Sequence, residues 1–246
     1  MNQRKISIVL LFFLLISCEK KSDNDEIMIG DYSNMIVNSY DINLNAGVST
    51  EYTEFSLDID RDGNNDIALR CGYVHGWSSW GSYRFSEIRS LHKNALILGF
   101  YKTDTIFLNR ETYKHSTSQG TQISEYYNHT CFRKDPTDSI LEIISDNFKV
   151  FPKDKGSILS NSEVFKSDTI KLIQSELSHF ESIPISDTLF IINNYVSYND
   201  CQSFSQDEIK YIGIKLEQDG NVKLGWIKII VSDIHKIILF ESAIHE

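Results

Sequence analysis

From residue 28 onward, apolar residues fall in short runs divided by polar turns. The pattern predicts strands over Met35–Leu44, Thr53–Asp58, Asp66–Val74, Ala95–Tyr101, Thr105–Asn109, Thr188–Tyr195, Ile209–Glu217, Val222–Val231 and Lys236–Glu241. These runs are rich in Ile, Phe, Tyr and Val, side chains that suit half-buried pleated positions. The clearest hairpin turns at Asp219-Gly220, because Asp-Gly accepts the positive φ of a tight turn. In its second arm Leu224, Trp226, Lys228 and Ile230 alternate with Gly225, Ile227, Ile229 and Val231, so one face is apolar and the strand is buried on at least one side. Two segments have mixed spacing and predict short helices: Ser139–Phe148, and Thr169–Phe180, where Ile173, Leu177 and Phe180 follow at steps of four and three. No repeat and no Gly/Pro-rich linker divides the chain. The expected fold is mainly β: a single β-sandwich over residues 28–246, plain or jelly-roll-like, with one or two short helices. A two-domain split near Pro152–Gly156 is the alternative.

The first residues read as an address. Arg4 and Lys5 precede an apolar stretch from Ile6 to Ile16, interrupted only by Ser7. That stretch is shorter than the ~20 apolar residues needed to span a bilayer, and it matches the core of a secretory signal over residues 1–17. Leu15-Ile16-Ser17-Cys18 resembles a bacterial lipobox, a resemblance that implies lipidation of Cys18 as the first mature residue. The polar run Glu19–Glu26 has nothing to pack, so residues 18–27 read as a solvated tether. The run also resembles the acidic export signals that follow the cysteine in surface lipoproteins of Bacteroidota-type bacteria, with Lys20 and Lys21 departing from that pattern. The implied setting is the bacterial outer membrane, on its periplasmic or cell-surface face, with the membrane as a partner through the lipid.

Composition narrows the classes further. The chain of 246 residues carries 34 acidic and 24 basic side chains, a net charge of −10, which argues against a nucleic-acid partner. Its 41% hydrophobic and 12% aromatic content is that of a folded chain. Beyond Cys18 stand Cys71, Cys131 and Cys201, an odd number that allows one intramolecular disulfide and leaves three pairings open. None of their spacings is that of a zinc site.

One motif carries specific chemistry. Residues 58–66 read Asp58-Ile59-Asp60-Arg61-Asp62-Gly63-Asn64-Asn65-Asp66, a D-x-D-x-D-G-x-x-D spacing. Calcium takes six to eight oxygens, and this spacing can wrap side-chain oxygens around one centre, with Gly63 permitting the sharp turn. The candidate metal ligands are Asp58, Asp60, Asp62, Asn64 through its carbonyl, and Asp66, and the candidate cofactor is a structural Ca2+. The carboxylates would repel one another without a cation, and Arg61 is the local compensation. Position 12 is Leu69 rather than Glu, and the flanks read as strands, so an EF-hand is not expected. The segment instead resembles the strand–loop–strand calcium loops of FG-GAP and thrombospondin type 3 repeats, although those families carry several copies. The alternative is a plain acidic turn.

A wider resemblance joins Phe55–Gly63 to Tyr211-Ile-Gly-Ile-Lys215 and Leu224-Gly-Trp-Ile-Lys-Ile229. Together these look like a group of exported lipoproteins of Bacteroidota-type bacteria, with Leu224 in place of the usual tyrosine. The resemblance implies a single exported β domain and no reaction.

Weaker signals complete the reading. In the aromatic run 73–85, Trp77, Trp80 and Tyr83 could form a platform for a sugar or another flat ligand, or simply cap the core. The triplets beginning at Asp104, Asp138, Asp168 and Asp187 resemble an O-glycosylation sequon of such bacteria, or else are turns leading into strands. No nucleophile elbow, Walker loop, dinucleotide fingerprint or H-E-x-x-H motif appears. The expected function is a non-catalytic binding or accessory lipoprotein whose ligand the sequence does not identify, a glycan and a protein being the candidates. The alternative is a calcium-dependent glycan-active enzyme using carboxylates the sequence does not identify.

Overall fold

The computed structural model describes residues 25–47, 52–74, 82–117, 120–133, 135–186, 189–198, 204–218 and 220–246. The strands of the first half are β1 (Glu26–Met28), β2 (Met35–Asn45), β3 (Tyr52–Leu57), β4 (Ile67–Val74), β5 (Ser82–Ser90), β6 (Ala95–Thr117), β7 (Gly120–Thr130) and β8 (Ser139–Val150). Those of the second half are β9 (Pro152–Lys153), β10 (Ile158–Ser160), β11 (Phe165–Lys166), β12 (Thr169–Ser186), β13 (Leu189–Tyr198), β14 (Lys210–Gln218), β15 (Asn221–Asp233) and β16 (Lys236–His245). The fold is mainly β, as the alternation of apolar positions predicts.

The strands pair into two layers. One runs β2-β16-β15-β14-β6 and is antiparallel throughout. The other runs β3-β4-β5-β12-β13-β7, antiparallel except for the parallel β13–β7 pair. Strand β6 belongs to both: Ala95–Ile97 pairs with β14, whereas Phe107–Thr117 pairs with β7. β2 and β3 are therefore the two open ends of the strand order.

The main core lies between the layers. Ile67 and Leu69 of β4 and Ile88 of β5 meet Ile212 and Ile214 of β14, and Ile227, Ile229 and Val231 of β15, in one buried cluster. Removing such branched side chains from water is the largest favourable contribution to the fold, ~1.5–3 kcal/mol for each one fully buried. The outer face of the first layer is covered as well. There β1 and β10 pair with each other and bring Ile27, Ile29 and Leu159 onto Leu224 and Trp226. Trp226 is fully buried, with Tyr32 and Tyr211 meeting its ring edge-on at 5.7 and 5.2 Å. The β14–β15 hairpin is thus buried on both faces through its middle.

The two segments expected as helices are strands. Ser139–Phe148 lies within β8, paired with β6, and Thr169–Phe180 lies within β12, between β5 and β13. In β12 the alternation Ile170 buried, Lys171 exposed, Leu172 buried is strand-like, and a bulge before Ile173 then resets the phase so that Leu172 and Ile173 are both buried. A step of four keeps two residues on one face in a strand as well as in a helix. The step of three from Leu177 to Phe180 coincides with a second register shift. Two bulges therefore imitate helical spacing. Pro152–Lys153, at the expected point of a domain split, pairs with Ile212 and Tyr211 of β14.

Candidate metal centre

The acidic motif is the connection between β3 and β4, whose last pair is Leu57–Ile67. A nine-residue connection is long for a hairpin, and the side chains within it supply the bonds that the sheet no longer does. Ile59 points inward and is fully buried, so hydrophobic anchoring fixes the middle of the loop. Asp66 closes it: its N–H donates to the Leu57 carbonyl at 2.7 Å, and its Oδ2 accepts the Ile59 N–H at 2.8 Å. Arg61 and Gly63 take positive φ values of 63° and 92°, which turn the chain back on itself.

This path gathers three carboxylates. Oxygens of Asp58, Asp60 and Asp66 all lie within 4.8 Å of one another. Asp66 is fully buried, Asp60 is 8% exposed and Asp58 is half-buried. Asp58 accepts the N–H groups of Asp62 at 3.1 Å and Gly63 at 2.9 Å, and Asp60 accepts the Asp62 N–H at 3.3 Å. Backbone amides thus aim the carboxylates at a common point. Like charges at this separation repel by ~3 kcal/mol per pair at an effective dielectric of ~20, so the arrangement favours a cation at its centre.

The cluster could hold a metal ion. Two oxygens bound to one calcium ion, at 2.3–2.6 Å each, stand no more than ~5 Å apart, and the observed spacing meets that limit. The donors are all oxygens, which suits a hard cation and not zinc or copper.

Four further features are not legible from the motif. Asp62 stands apart from the three: its Oδ1 accepts the Asn64 N–H at 2.8 Å, and its Oδ2 accepts from Gln218 Nε2 at 3.2 Å. The Asn64 N–H holds its carboxyl below the usual carboxylate value. Arg61, expected to offset the loop's charge, turns away; Nε donates to Asn38 Oδ1 and Nη2 to the Val37 carbonyl, both at 2.7 Å. Among the described residues Arg61 makes no ion pair. Asn38 in turn donates to the carbonyls of Asp58 and Ile59 at 3.3 and 3.0 Å, tying the loop to β2. Finally, His92 Nε2 lies 3.0 Å from Asp66 Oδ1. Burial pushes the Asp66 carboxyl above its usual value, and Asp60 adds to the rise; the Ile59 N–H and His92 oppose it without cancelling it. Asn38, His92 and Gln218 come from 20 to 156 residues away in the chain, and no local pattern marks them.

The other candidates disperse. Cys18, Trp77 and Trp80 lie outside the described residues, and Tyr83 lies in β5 opposite Val74 and Glu176. Cys71 is a buried free thiol, and Cys131 is in a disulfide whose partner lies outside the described residues. Of the Asp-Ser/Thr triplets, Ser139 and Thr169 are exposed at strand starts, Thr105 is half-buried, and Thr188 is outside the described residues. No protein-family model, curated protein or solved structure matches the chain.

Proposed function

We propose that this protein is an exported, lipid-anchored β domain in which loop 58–66 binds a structural calcium ion, and that it serves as a non-catalytic binding or accessory lipoprotein of the bacterial outer membrane. The observation that carries the metal assignment is the convergence of Asp58, Asp60 and Asp66 around one point, with Arg61 committed elsewhere. Calcium fits better than magnesium because the donors sit on an adaptable loop, whereas magnesium demands near-ideal octahedral geometry and keeps much of its water. The Asn64 carbonyl and solvent would complete the shell. The anchoring rests on the signal-like residues 1–17 and on Cys18.

Thermal unfolding of the purified protein in calcium and in chelator tests the metal. Binding at a hundred times Kd stabilises the fold by ~2.7 kcal/mol, and Asp60→Asn should remove that gain. An unchanged melting temperature in wild type would reduce the loop to an acidic turn. Membrane fractionation with Cys18→Ser tests the anchor separately: a variant that stays in the membrane fraction refutes it.

A further inference from the structure

Beside the loop, between the open edges β2 and β3, lies a solvent-facing cleft of about 400 Å³. It is of the size that takes small molecules, whose sites span ~300–1,000 Å³. Its walls come from two places distant in sequence: Asn38, Ser39 and Tyr40 of β2, and Ser56 of β3 with Asp58, Arg61 and Asn65 of the loop.

We infer that this cleft is a binding site for a neutral saccharide, the ligand class of the binding module proposed above, a reading on which the inference rests. The lining decides the class. One Arg and one Asp leave it without net charge, so it does not select an anion, which would need several cationic donors. Leu57 is the one aliphatic side chain in the wall and is itself 1% exposed, so the cleft offers little to an apolar ligand. What it offers is a set of hydroxyl and amide groups that both donate and accept, beside an aromatic side chain. Sugar hydroxyls need such a mixture, because each is donor and acceptor at once.

Two further observations indicate a prepared site. First, the two sides of the cleft are tied to each other by the protein's own hydrogen bonds. Arg61 and Asn38 bind each other and the backbone of both sides, and the Tyr40 hydroxyl is 3.3 Å from Ser242 Oγ while its ring meets Phe55 edge-on at 5.8 Å. Second, β2 bulges at this point. Two residues, Tyr40 and Asp41, span the interval that Phe240 alone spans on β16, between the pairs Leu239–Ile42 and Glu241–Ser39. Such a bulge re-aims side chains at a sheet edge, and here Ser39 and Tyr40, consecutive in the chain, both line the cleft. In contrast to these fixed groups, the side chains of Ser39, Ser56 and Asn65 have no protein partner among the described residues. They are the groups left to bind hydroxyls. Asp58 belongs both to this wall and to the carboxylate cluster, so ordering the loop also orders the site.

The test is saturation-transfer NMR on the purified protein with the methyl glycosides of glucose, galactose and mannose and with N-acetylglucosamine, each in calcium and in chelator. At least one should give transfer in calcium. Ser56→Tyr, which fills the cleft with a side chain that strands favour, should abolish it. Asn65→Ala should weaken binding roughly tenfold, the loss expected for one or two hydrogen bonds, while leaving the calcium-induced rise in melting temperature intact. The second variant keeps the test decisive if the first fails to fold. No transfer from any of the four sugars overturns the inference, and so does transfer undiminished in both variants, which would place the sugar elsewhere. Transfer that is lost in the variants but indifferent to calcium upholds the cleft and, with no calcium shift in melting, refutes the metal alone.

Discussion

Two buried aspartates show how differently this fold handles charge. Asp104, on β6, is 3% exposed, and Asp66, at the end of the acidic loop, is fully buried. Burial alone would raise the carboxyl of Asp104, but Lys149 Nζ at 2.5 Å and Lys102 Nζ at 3.4 Å outweigh it and hold the group below its usual value. For Asp66 burial wins, because its neighbours are Asp58 and Asp60 and the partly exposed His92. In the first region Lys149 of β8 and Lys102 of β6 itself supply the compensating cations from within the sheet. In the second, three carboxylates are collected and the one adjacent guanidinium is spent on β2. A buried charge with its partner built in is a structural element; a set of carboxylates without one could hold a cation.

The largest effect should come from breaking the internally compensated pair. Lys149→Met strips Asp104 of its closest cation and should cost ~3–5 kcal/mol in urea unfolding, while replacing both partners with apolar residues should recover most of that. The pH dependence follows from the sign of the shift. Because the folded carboxyl of Asp104 sits below 3.8, its contribution is present above that value and is lost as pH falls through the folded pKa. The acid limb of the stability curve should therefore flatten in Lys149→Met. A cost under about 1 kcal/mol, the range of an exposed pair, would dissolve the contrast from one side.

Asp60→Asn should behave in the opposite way. In chelator it relieves repulsion and leaves the protein as stable as wild type or more so; in calcium at a hundred times Kd it forfeits the ~2.7 kcal/mol of binding. A variant that is badly destabilised in chelator would mean that the loop carboxylates hold the fold together as Asp104 does.

Cys71 offers a third, smaller comparison, a buried group with no charge beside it. Burial pushes its thiol from 9.0 up to about 11, while backbone hydrogen bonds from Ala46 and Ile237 pull weakly the other way. The folded state thus keeps its proton longer than the unfolded state. Its contribution is complete below pH 9.0 and lost as pH rises through about 11. Native Cys71 should resist alkylation at neutral pH and react on unfolding; rapid reaction in the native state would contradict its burial.

Period-two patterning made β2, β3, β4, β14, β15 and β16 legible, since each alternates along the chain. It failed where alternation is interrupted or absent. β12 reads as a helix because its bulges shift the phase, and β7, Gly-Thr-Gln-Ile-Ser-Glu-Tyr-Tyr-Asn-His-Thr, has too few apolar residues to announce itself. Thr105–Asn109 and Ala95–Tyr101 are one strand, because Lys102–Asp104 lies against β8 rather than in a turn. At the site, local spacing identified the loop and three of its carboxylates. It left out the partners of Arg61 and Asp62, because Asn38 and Gln218 lie on other strands and tertiary contacts of that kind leave no trace in a nine-residue window.

Asp62 gives the finest division within the loop itself. The motif counts it as the third carboxylate of the ion's shell, whereas its two oxygens are occupied by Asn64 and Gln218 at the exposed rim. An amide at this position can still accept the Asn64 N–H through its oxygen, so Asp62→Asn should alter stability by no more than ~0.5 kcal/mol, the usual range for surface substitutions. It should also preserve the calcium-induced rise in melting temperature. Asp58→Asn, one of the converging three, should abolish that rise. If Asp62→Asn abolishes it too, the rim carboxylate swings onto the ion when it binds, and the loop closes around calcium with all four of its aspartates.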